Sequence, residues 1–475
     1  MVVLFALACS QADPAPGRQA WLVDALVDDN RIWLSRDGEL LAAKYRKMAA
    51  DPYDYMRGTQ GVFLADLARA GTERVGTSFV TVPEAGAVLL VGDPHPENIG
   101  LFLPGEGPGP GLGEPSPVVF VLEPNDLDGA AFGPWVLDLR RAALGLAVLA
   151  DALDGCGVGC RHAAIEALAE GYTDGIGERA DGERAVRAAE LDGWGAIVAD
   201  QVERVLVEGR RRDRLVSATV APDLRTRSLA VDRALHRDQG VLALTGKERA
   251  QLDRLLADSP LPRGFRELGA ARVFGLGVAS LPAVRFMVLW DRGDDGPADD
   301  ELLQLREVVD PAAVPTLGPS VPGLFDDNAD RLSTASRLLW ERSDTDVRSA
   351  GVTDGDQAFK HVTWSSWNQG FDHSRIAADW AAGRADEDDL AGLAERIGHV
   401  LAGAHARAPT ASGGRGLAAI SRDIDGRSRR FASELVTATD ADIASLSWDY
   451  RLFRGALSRL GPLLGAGRLA EDVHP

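Results

Sequence analysis

Lysine is scarce in this chain: Lys44, Lys47, Lys247 and Lys360 are the only four among 475 residues. Any lysine at a phosphate site must come from that short set, and arginine carries the rest of the positive charge. Basic residues as a whole fall short, with 51 Lys and Arg against 71 Asp and Glu and a formal net charge of -20. That balance argues against general binding to nucleic acid or to anionic membranes, both of which need a basic surface. No run is long and apolar enough to span a bilayer. Cysteine occurs only at Cys9, Cys156 and Cys160. With Cys9 set aside, the other two form an even pair, as an oxidising compartment favours. Free thiols in a helix-connecting turn around Gly157-Val158-Gly159 fit equally well. What is present, 45% hydrophobic and 26% charged residues, is the composition of an ordinary globular protein. The length allows one large or two moderate domains.

The N-terminus is apolar from Val2 to Ala8 and runs into Cys9-Ser10, then the Pro/Ala-rich stretch Gln11 to Gly17. This resembles the end of a bacterial lipoprotein signal with Cys9 as the lipidated residue. A basic n-region is missing, and Ala6-Leu7 is not the usual order before such a cysteine. Export with a lipid anchor at Cys9 is the expectation, and a cytoplasmic chain the alternative.

The stretch from Val91 to Leu139 holds the chemistry. Two apolar, β-branched runs, Ala87 to Val91 and Val118 to Leu122, predict short buried strands. Each delivers a polar cluster at its C-terminal end, where loops present side chains to ligands. The first cluster offers Asp93, His95 and Asn98; the second offers Glu123, Asn125, Asp126 and Asp128. Such a pair suits phosphoryl transfer. A carboxylate such as Asp93 can accept a hydroxyl proton, while Asn98 and further carboxylates hold Mg²⁺ against phosphate oxygens, because hard cations want oxygen ligands. Singly, each of these residues reads as a turn former after a strand; both clusters at strand ends favour a site.

In chain order, residues 1–20 read as leader and linker. Residues 21–150 begin with helices, Leu40 to Met48 carrying one into the Asp51-Pro52 break, and continue through strands near Ser78 to Val82 into the two loops. Arg57, just before Gly58, is placed either to reach a phosphate or to form a surface ion pair. The Gly/Pro-dense segment Pro104 to Pro117 is an exposed excursion. Trp135 to Leu149 is an apolar helix whose Asp138 favours the N-terminal end of the dipole. Residues 151–260 read as helical, with Arg210-Arg211-Arg212 a solvated face. Residues 261–375 change texture: a strand at Ala271, a turn at Gly275 and Gly277, a returning strand over Ala283 to Trp290, and a third strand over Glu301 to Val308 carrying Arg306. A helix from Asp330 with Glu341 as its acid, and a strand over Gln357 to Trp364 with Lys360 and His361, complete this part. Trp364 and Trp367 are read as core. Residues 376–475 are helices, including an amphipathic one over Leu390 to Arg407 in which His405 reads as a satisfied core histidine.

Strand, glycine turn, strand and basic strand is the layout of a kinase nucleotide-binding lobe, although a lone Gly-x-Gly is usually a hairpin turn. The run Gly92-Asp93-Pro94-His95-Pro96-Glu97-Asn98, then Asp126-Leu127-Asp128 and Gly133-Pro134-Trp135-Val136-Leu137-Asp138-Leu139, resembles the catalytic and metal loops of aminoglycoside-phosphotransferase-like kinases. More closely, with Asp51-Pro52-Tyr53-Asp54-Tyr55-Met56-Arg57-Gly58 and Leu401-Ala402-Gly403-Ala404-His405-Ala406-Arg407, the chain resembles the bacterial family named domain of unknown function 2252, from about Lys44 onward. Two positions depart from that pattern: Arg306 stands where the family's third strand carries lysine, and Glu123 where it carries aspartate. Because the catalytic and metal loops precede the nucleotide-binding pieces, the resemblance implies an α+β, protein-kinase-like two-lobe fold, circularly permuted, with a large helical portion. Permutation is tolerable where termini lie close on a surface.

The expected function is an ATP- and Mg²⁺-dependent phosphotransferase on an unidentified acceptor. Asp93 is the base and His95 orders its loop. Asn98 and Asp126 are the principal metal ligands, with Asp128 or Glu123 assisting. Gly275, Gly277, Arg306, Lys360 and Arg57 are candidates for the nucleotide. The rivals are a non-catalytic kinase-like binding lipoprotein and a metal-dependent hydrolase. If the transferase layout holds, Arg306 and Asp126 face one cleft roofed by an antiparallel sheet over 271–308.

Overall fold

Two kinds of helix build most of the chain, and their sequences tell them apart. Apart from Asp138, Arg140, Arg141 and Asp151, Val136–Ala152 is apolar all round, and all its residues from Val136 to Ala150 are buried, as expected for a helix running through a core. Val158–Ala180 and Glu387–Arg407 pack beside it. The latter starts at a capping box in which Asp386 accepts from the Asp388 and Asp389 amides. The N-terminal helices are amphipathic and cluster instead around Tyr45, Tyr55 and Phe453, the last belonging to the long helix Ser428–Leu460. The break read at Asp51-Pro52 separates Gly38–Ala50 from Pro52–Gly58: Pro52 opens the second helix and Asp51 caps it by accepting from Tyr53 and Asp54. A helix already begins at Pro16, inside the stretch expected to be linker.

The computed structural model describes residues 16–75, 87–102, 121–180, 195–209, 222–223, 228–229, 231, 240–259, 261, 265–291, 300–312, 325–341, 349–364 and 369–466. Cys9, the expected strand near Ser78, the excursion 104–117, the arginines at 210–212 and Trp367 lie outside them. Cys156 and Cys160 are joined in a disulfide. No helix among the described residues is long and apolar enough to cross a membrane.

In chain order, the first four strands are β1 Val88–Leu89, β2 Ile99–Phe102, β3 Val121–Pro124 and β4 Phe132–Gly133. They are short: β1 pairs with β4, and β2 with β3. After β5 Pro222–Asp223 and β6 Ser228–Leu229 come β7 Gly240–Leu242, β8 Arg266–Phe274, β9 Arg285–Asp291, β10 Glu301–Val308, β11 Ser349–Asp354 and β12 Gln357–Trp364. These last six form one antiparallel sheet in the order β11-β12-β10-β9-β8-β7. The architecture is thus α+β, with a helical body, one six-stranded antiparallel sheet and smaller two- and three-stranded ones among the described residues.

Alternation along the strands gives the sheet two faces. Phe286, Val288, Leu303, Leu305 and Phe359 share a cluster with Leu252 and Leu255 of helix Gly246–Asp258. Met287, Leu289 and Leu302 pack on the other face with Val241 and Val273. Helix Gly246–Asp258 and β7 come from the stretch expected to be wholly helical, so the sheet portion starts before residue 261. A three-residue strand is too short for its period to be read.

Candidate active site

The Gly92-Asp93 turn is fixed from behind by the central helix. Asp138 accepts the Val91 amide at 2.7 Å and the Gly92 amide at 3.0 Å, and His405 Nε2 lies 2.9 Å from the same carboxylate. A carboxylate only accepts, so Nε2 carries the proton, and the Tyr172 hydroxyl donates to His405 Nδ1 at 2.9 Å. His405 is the satisfied core histidine that its alanine-rich surroundings predict. Asp138 does more than favour a helix end, since it supplies the acceptors for two strand-end amides. Gly92 has φ +102°, and a Cβ there would lie 2.1 Å from the Gly129 carbonyl oxygen. Only glycine lets the first loop press this closely on the second.

Within the first loop, Asn98 Nδ2 donates to the Asp93 carbonyl at 3.0 Å. Arg141, three residues beyond Asp138 on the same helix, donates to Asp93 Oδ1 at 2.5 Å and to the Met56 carbonyl at 2.7 Å. Burial raises the Asp93 carboxyl above its ordinary pKa despite the opposing pull of Arg141. His95 is 2% exposed, with Nε2 3.8 Å from Asp93 Oδ2, and burial pushes its pKa well below the usual imidazole range. It is therefore neutral at physiological pH, and its Nδ1 has no hydrogen-bond partner among the described residues.

The second loop meets the sheet. Arg306 on β10 donates to Asp126 Oδ1 at 3.1 Å and also pairs with Asp128. Lys360 on β12 lies 3.6 Å from Asp126 and 3.5 Å from Asp128. Burial would raise both carboxyls, but Arg306 and Lys360 hold Asp126 below its ordinary range, while Asp128 is raised by burial and by its neighbour Asp126. Arg331, on helix Asn328–Leu339, grips the loop backbone, donating to the carbonyls of Asp128 at 2.8 Å and Ala130 at 3.1 Å. The contact between Arg306 and Asp126, 180 residues apart, places both on one cleft beneath the sheet.

That cleft is a cavity of about 390 Å³ whose wall includes Asp93, His95, Asn98, Asp126, Asp128 and Arg306, a size suited to small ligands. The glycine turn closes one side: Gly275 and Gly277 have φ +80° and +76°, and Gly277 through Ser280 line the cavity. Lys47 ties the turn to the N-terminal helices by donating to the Gly277 carbonyl at 3.0 Å. Gly275 shapes the turn without reaching the cavity wall. Arg57 lines the cavity and is engaged in mostly buried ion pairs with Glu97 at 2.6 Å and Asp54 at 3.3 Å, not the surface pair expected of it.

Two expected residues sit elsewhere. Glu123, read as an assisting metal ligand, is not on the cavity wall. It accepts the Glu341 amide at 2.9 Å and faces Arg407 at 3.5 Å, because strand alternation turns it towards helix Glu387–Arg407 rather than towards Asp126. Burial raises its pKa to about 7. Glu341, read as the acid of a helix facing the basic strand, lies beyond the end of Asn328–Leu339, and Arg306 takes its acids from Asp126 and Asp128 instead. The sequence reading missed Arg141, Arg285 and Lys44, each 4% exposed or less. Lys44 and Arg285 line the cavity, and Lys44 donates to Asn30 Oδ1 at 2.6 Å. For Arg141 a signal existed: a charge in a helix otherwise apolar all round must have a partner.

Among the described residues no group of three or more His, Cys, Asp or Glu converges as a metal site. Magnesium does not need one, since it binds through one or two carboxylates plus phosphates and water. Asp126 and Asp128 supply that pair, one buried oxygen of Asp128 lacks a hydrogen bond, and Asn98 joins them on the cavity wall. These oxygen donors fit the ion. In the comparison with protein families, the model of a family described as uncharacterized protein conserved in bacteria (DUF2252) matches residues 36–456. No curated protein and no solved structure matches.

Proposed function

The chain belongs to the bacterial family of domain of unknown function 2252, and we propose that it is a kinase-like phosphotransferase using ATP with Mg²⁺ on an acceptor hydroxyl. The single observation that carries the proposal is the meeting of Arg306 with Asp126 and Asp128 on the wall of the same cavity as Asp93 and Asn98, with Lys360, off that wall, close to both carboxylates. Phosphoryl transfer is mainly positioning and charge stabilisation, so cations, metal-capable oxygens and a base in one enclosed space are its requirements. The succession of β8, the glycine turn, β9, β10 with its basic residue and helix Asn328–Leu339 supports a nucleotide-binding lobe. Because that lobe follows the loops in sequence, the fold is a circularly permuted kinase-like one.

Asp93 takes the acceptor's proton. Arg141 fixes its orientation through Oδ1, and burial makes it a stronger base than an exposed aspartate. Asp126, Asp128 and Asn98 would hold the metal, which when bound would neutralise phosphate charge. Arg306 and Lys360 then exchange carboxylate partners for phosphate oxygens; arginine's fork and lysine's point charge divide a task the family gives to lysine.

A second reading is a kinase-like binding protein without turnover. It is favoured by Arg306, which engages both carboxylates that the metal needs. Release of labelled γ-phosphate from Mg·ATP separates the two. The transferase should turn over, and Asp93→Asn should lower the rate by about 10²–10⁴ while ATP still binds. ATP binding without turnover in the wild-type chain would favour the second reading, and full activity in Asp93→Asn would remove the first.

A further inference from the structure

Three cations stand in register across the central strands. Arg306 on β10 is the direct partner of Arg285 on β9 and of Lys360 on β12. Directly paired residues share a face, so the three line one side of the sheet. The two aspartates beneath neutralise only part of this row: Arg306 and Lys360 have ion pairs to Asp126 and Asp128, whereas Arg285 has no carboxylate within ion-pairing distance among the described residues. Arg285 is 4% exposed, lines the cavity, and its Nε has no hydrogen-bond partner among the described residues. Its Nη2 reaches only the Ser280 hydroxyl, at 3.3 Å, and Arg306 Nη1 approaches the same oxygen at 3.4 Å.

This is a costly arrangement for a folded protein. Like charges directly across strands repel, and a buried charge without a counterion is strongly destabilising. The strain shows in the guanidinium itself, whose pKa is lowered to about 9 by burial first and by Arg306 second. An anion in the cavity beside Arg285 would relieve all of it. Ser280 is suited to help: its oxygen accepts from the two arginines, leaving its O–H to donate to that anion.

We propose that Arg285 and Ser280 form a phosphate subsite next to the Asp126 centre, and that the ligand is a chain of linked phosphates lying across the strands. Neighbouring strands are about 4.8 Å apart, so such a chain meets Arg285 and then Arg306, the two of the three cations that line the cavity. The ligand class is therefore a polyphosphate ester such as a nucleoside triphosphate, not a monophosphate. The choice of a nucleotide rests on the transferase reading above; the phosphate subsite does not.

The test uses the full chain, inorganic tripolyphosphate and orthophosphate, with no metal, read by calorimetric titration. Tripolyphosphate should bind wild type at least tenfold tighter than orthophosphate. Arg285→Met should lose about tenfold or more of the tripolyphosphate affinity, and without ligand it should have a higher Tm than wild type because an uncompensated charge is gone. Ser280→Ala, which leaves the buried arginine in place, should lose about threefold. Equal affinities in wild type and both variants would overturn the subsite, as would equal binding of the two anions. Should Mg·ATP turnover proceed normally in Arg285→Met with unchanged KM, the subsite falls while the transferase stands. Tripolyphosphate binding that depends on Arg285, with no turnover of Mg·ATP by wild type, would uphold the subsite and remove the transferase.

Discussion

Replacing Asp138 by alanine tests how the first loop is held. The carboxylate accepts the amides of buried Val91 and half-buried Gly92 and the imidazole of His405, and it is 1% exposed. Each buried donor left without an acceptor costs about 1–3 kcal/mol, so three lost acceptances amount to about 3–6 kcal/mol after partial relaxation. That is a large share of the ~5–15 kcal/mol that stabilises a typical fold. Asp138→Asn keeps one carbonyl oxygen but turns an N–H₂ towards donors, and should fall between wild type and alanine. Urea unfolding gives the stability, and amide hydrogen exchange at Val91 and Gly92 gives the location. Because Gly92 presses on Gly129, the loss should also reach the Asp126–Asp128 loop and weaken Mg·ATP binding. If Asp138→Ala unfolds within about 0.5 kcal/mol of wild type, the range of an inconsequential surface change, or leaves both amides fully protected, the carboxylate is not what holds the loop.

Arg140, 0% exposed, forms a forked pair with Asp442 on the last helix, at 2.7 to 3.0 Å. Arg140→Met should therefore cost about 3–5 kcal/mol in urea unfolding, and Arg140→Met with Asp442→Leu should recover most of it. A double variant as unstable as the single one would show that packing, not the stranded charge, sets the cost. Glu123 has its pKa raised from 4.5 to about 7 in the folded chain, mainly by burial. The folded state then binds more protons than the unfolded one between those values, so this residue lowers stability as pH rises from about 4.5 to 7. Glu123→Gln should flatten that decline and gain most at pH 8; an unchanged slope in urea midpoints between pH 5 and 8 would count against a buried, proton-binding Glu123.

Much of this architecture was legible because periodicity and turn chemistry agreed. The strands over 285–308 and the helix over 387–407 follow from their apolar patterns, and the glycine turn from Gly275 and Gly277. The juxtaposition of Arg306 with Asp126 was legible only through chemistry: two acidic loops need cations, and the later basic strand is the segment with a glycine turn before it. Other features depend on information a single sequence does not carry. Val121 and Leu122 are both buried, so β3 has no polar face to fix which way Glu123 points, and its place at a strand end suggested the site. Arg285 gains meaning only from strand register, which sets it opposite Arg306. Asp138 at a helix start looks the same whether it favours the dipole or accepts two amides from the loop after a neighbouring strand. Helix Gly246–Asp258 was read as a helix, but that it covers the sheet depends on a three-residue strand pairing with β8.

The central claim is that the Asp126 cluster receives Mg·ATP, and isothermal titration of the purified chain with ATP, with and without Mg²⁺, tests it most directly. The account predicts binding that tightens on adding Mg²⁺. Asp126→Asn should lose that tightening, and Arg306→Met should lose about tenfold or more of the affinity, a buried charge-assisted contact contributing about 1.5–3 kcal/mol. No heat and no Tm shift at millimolar ATP with Mg²⁺, or binding that Asp126→Asn and Arg306→Met leave unchanged, would contradict it.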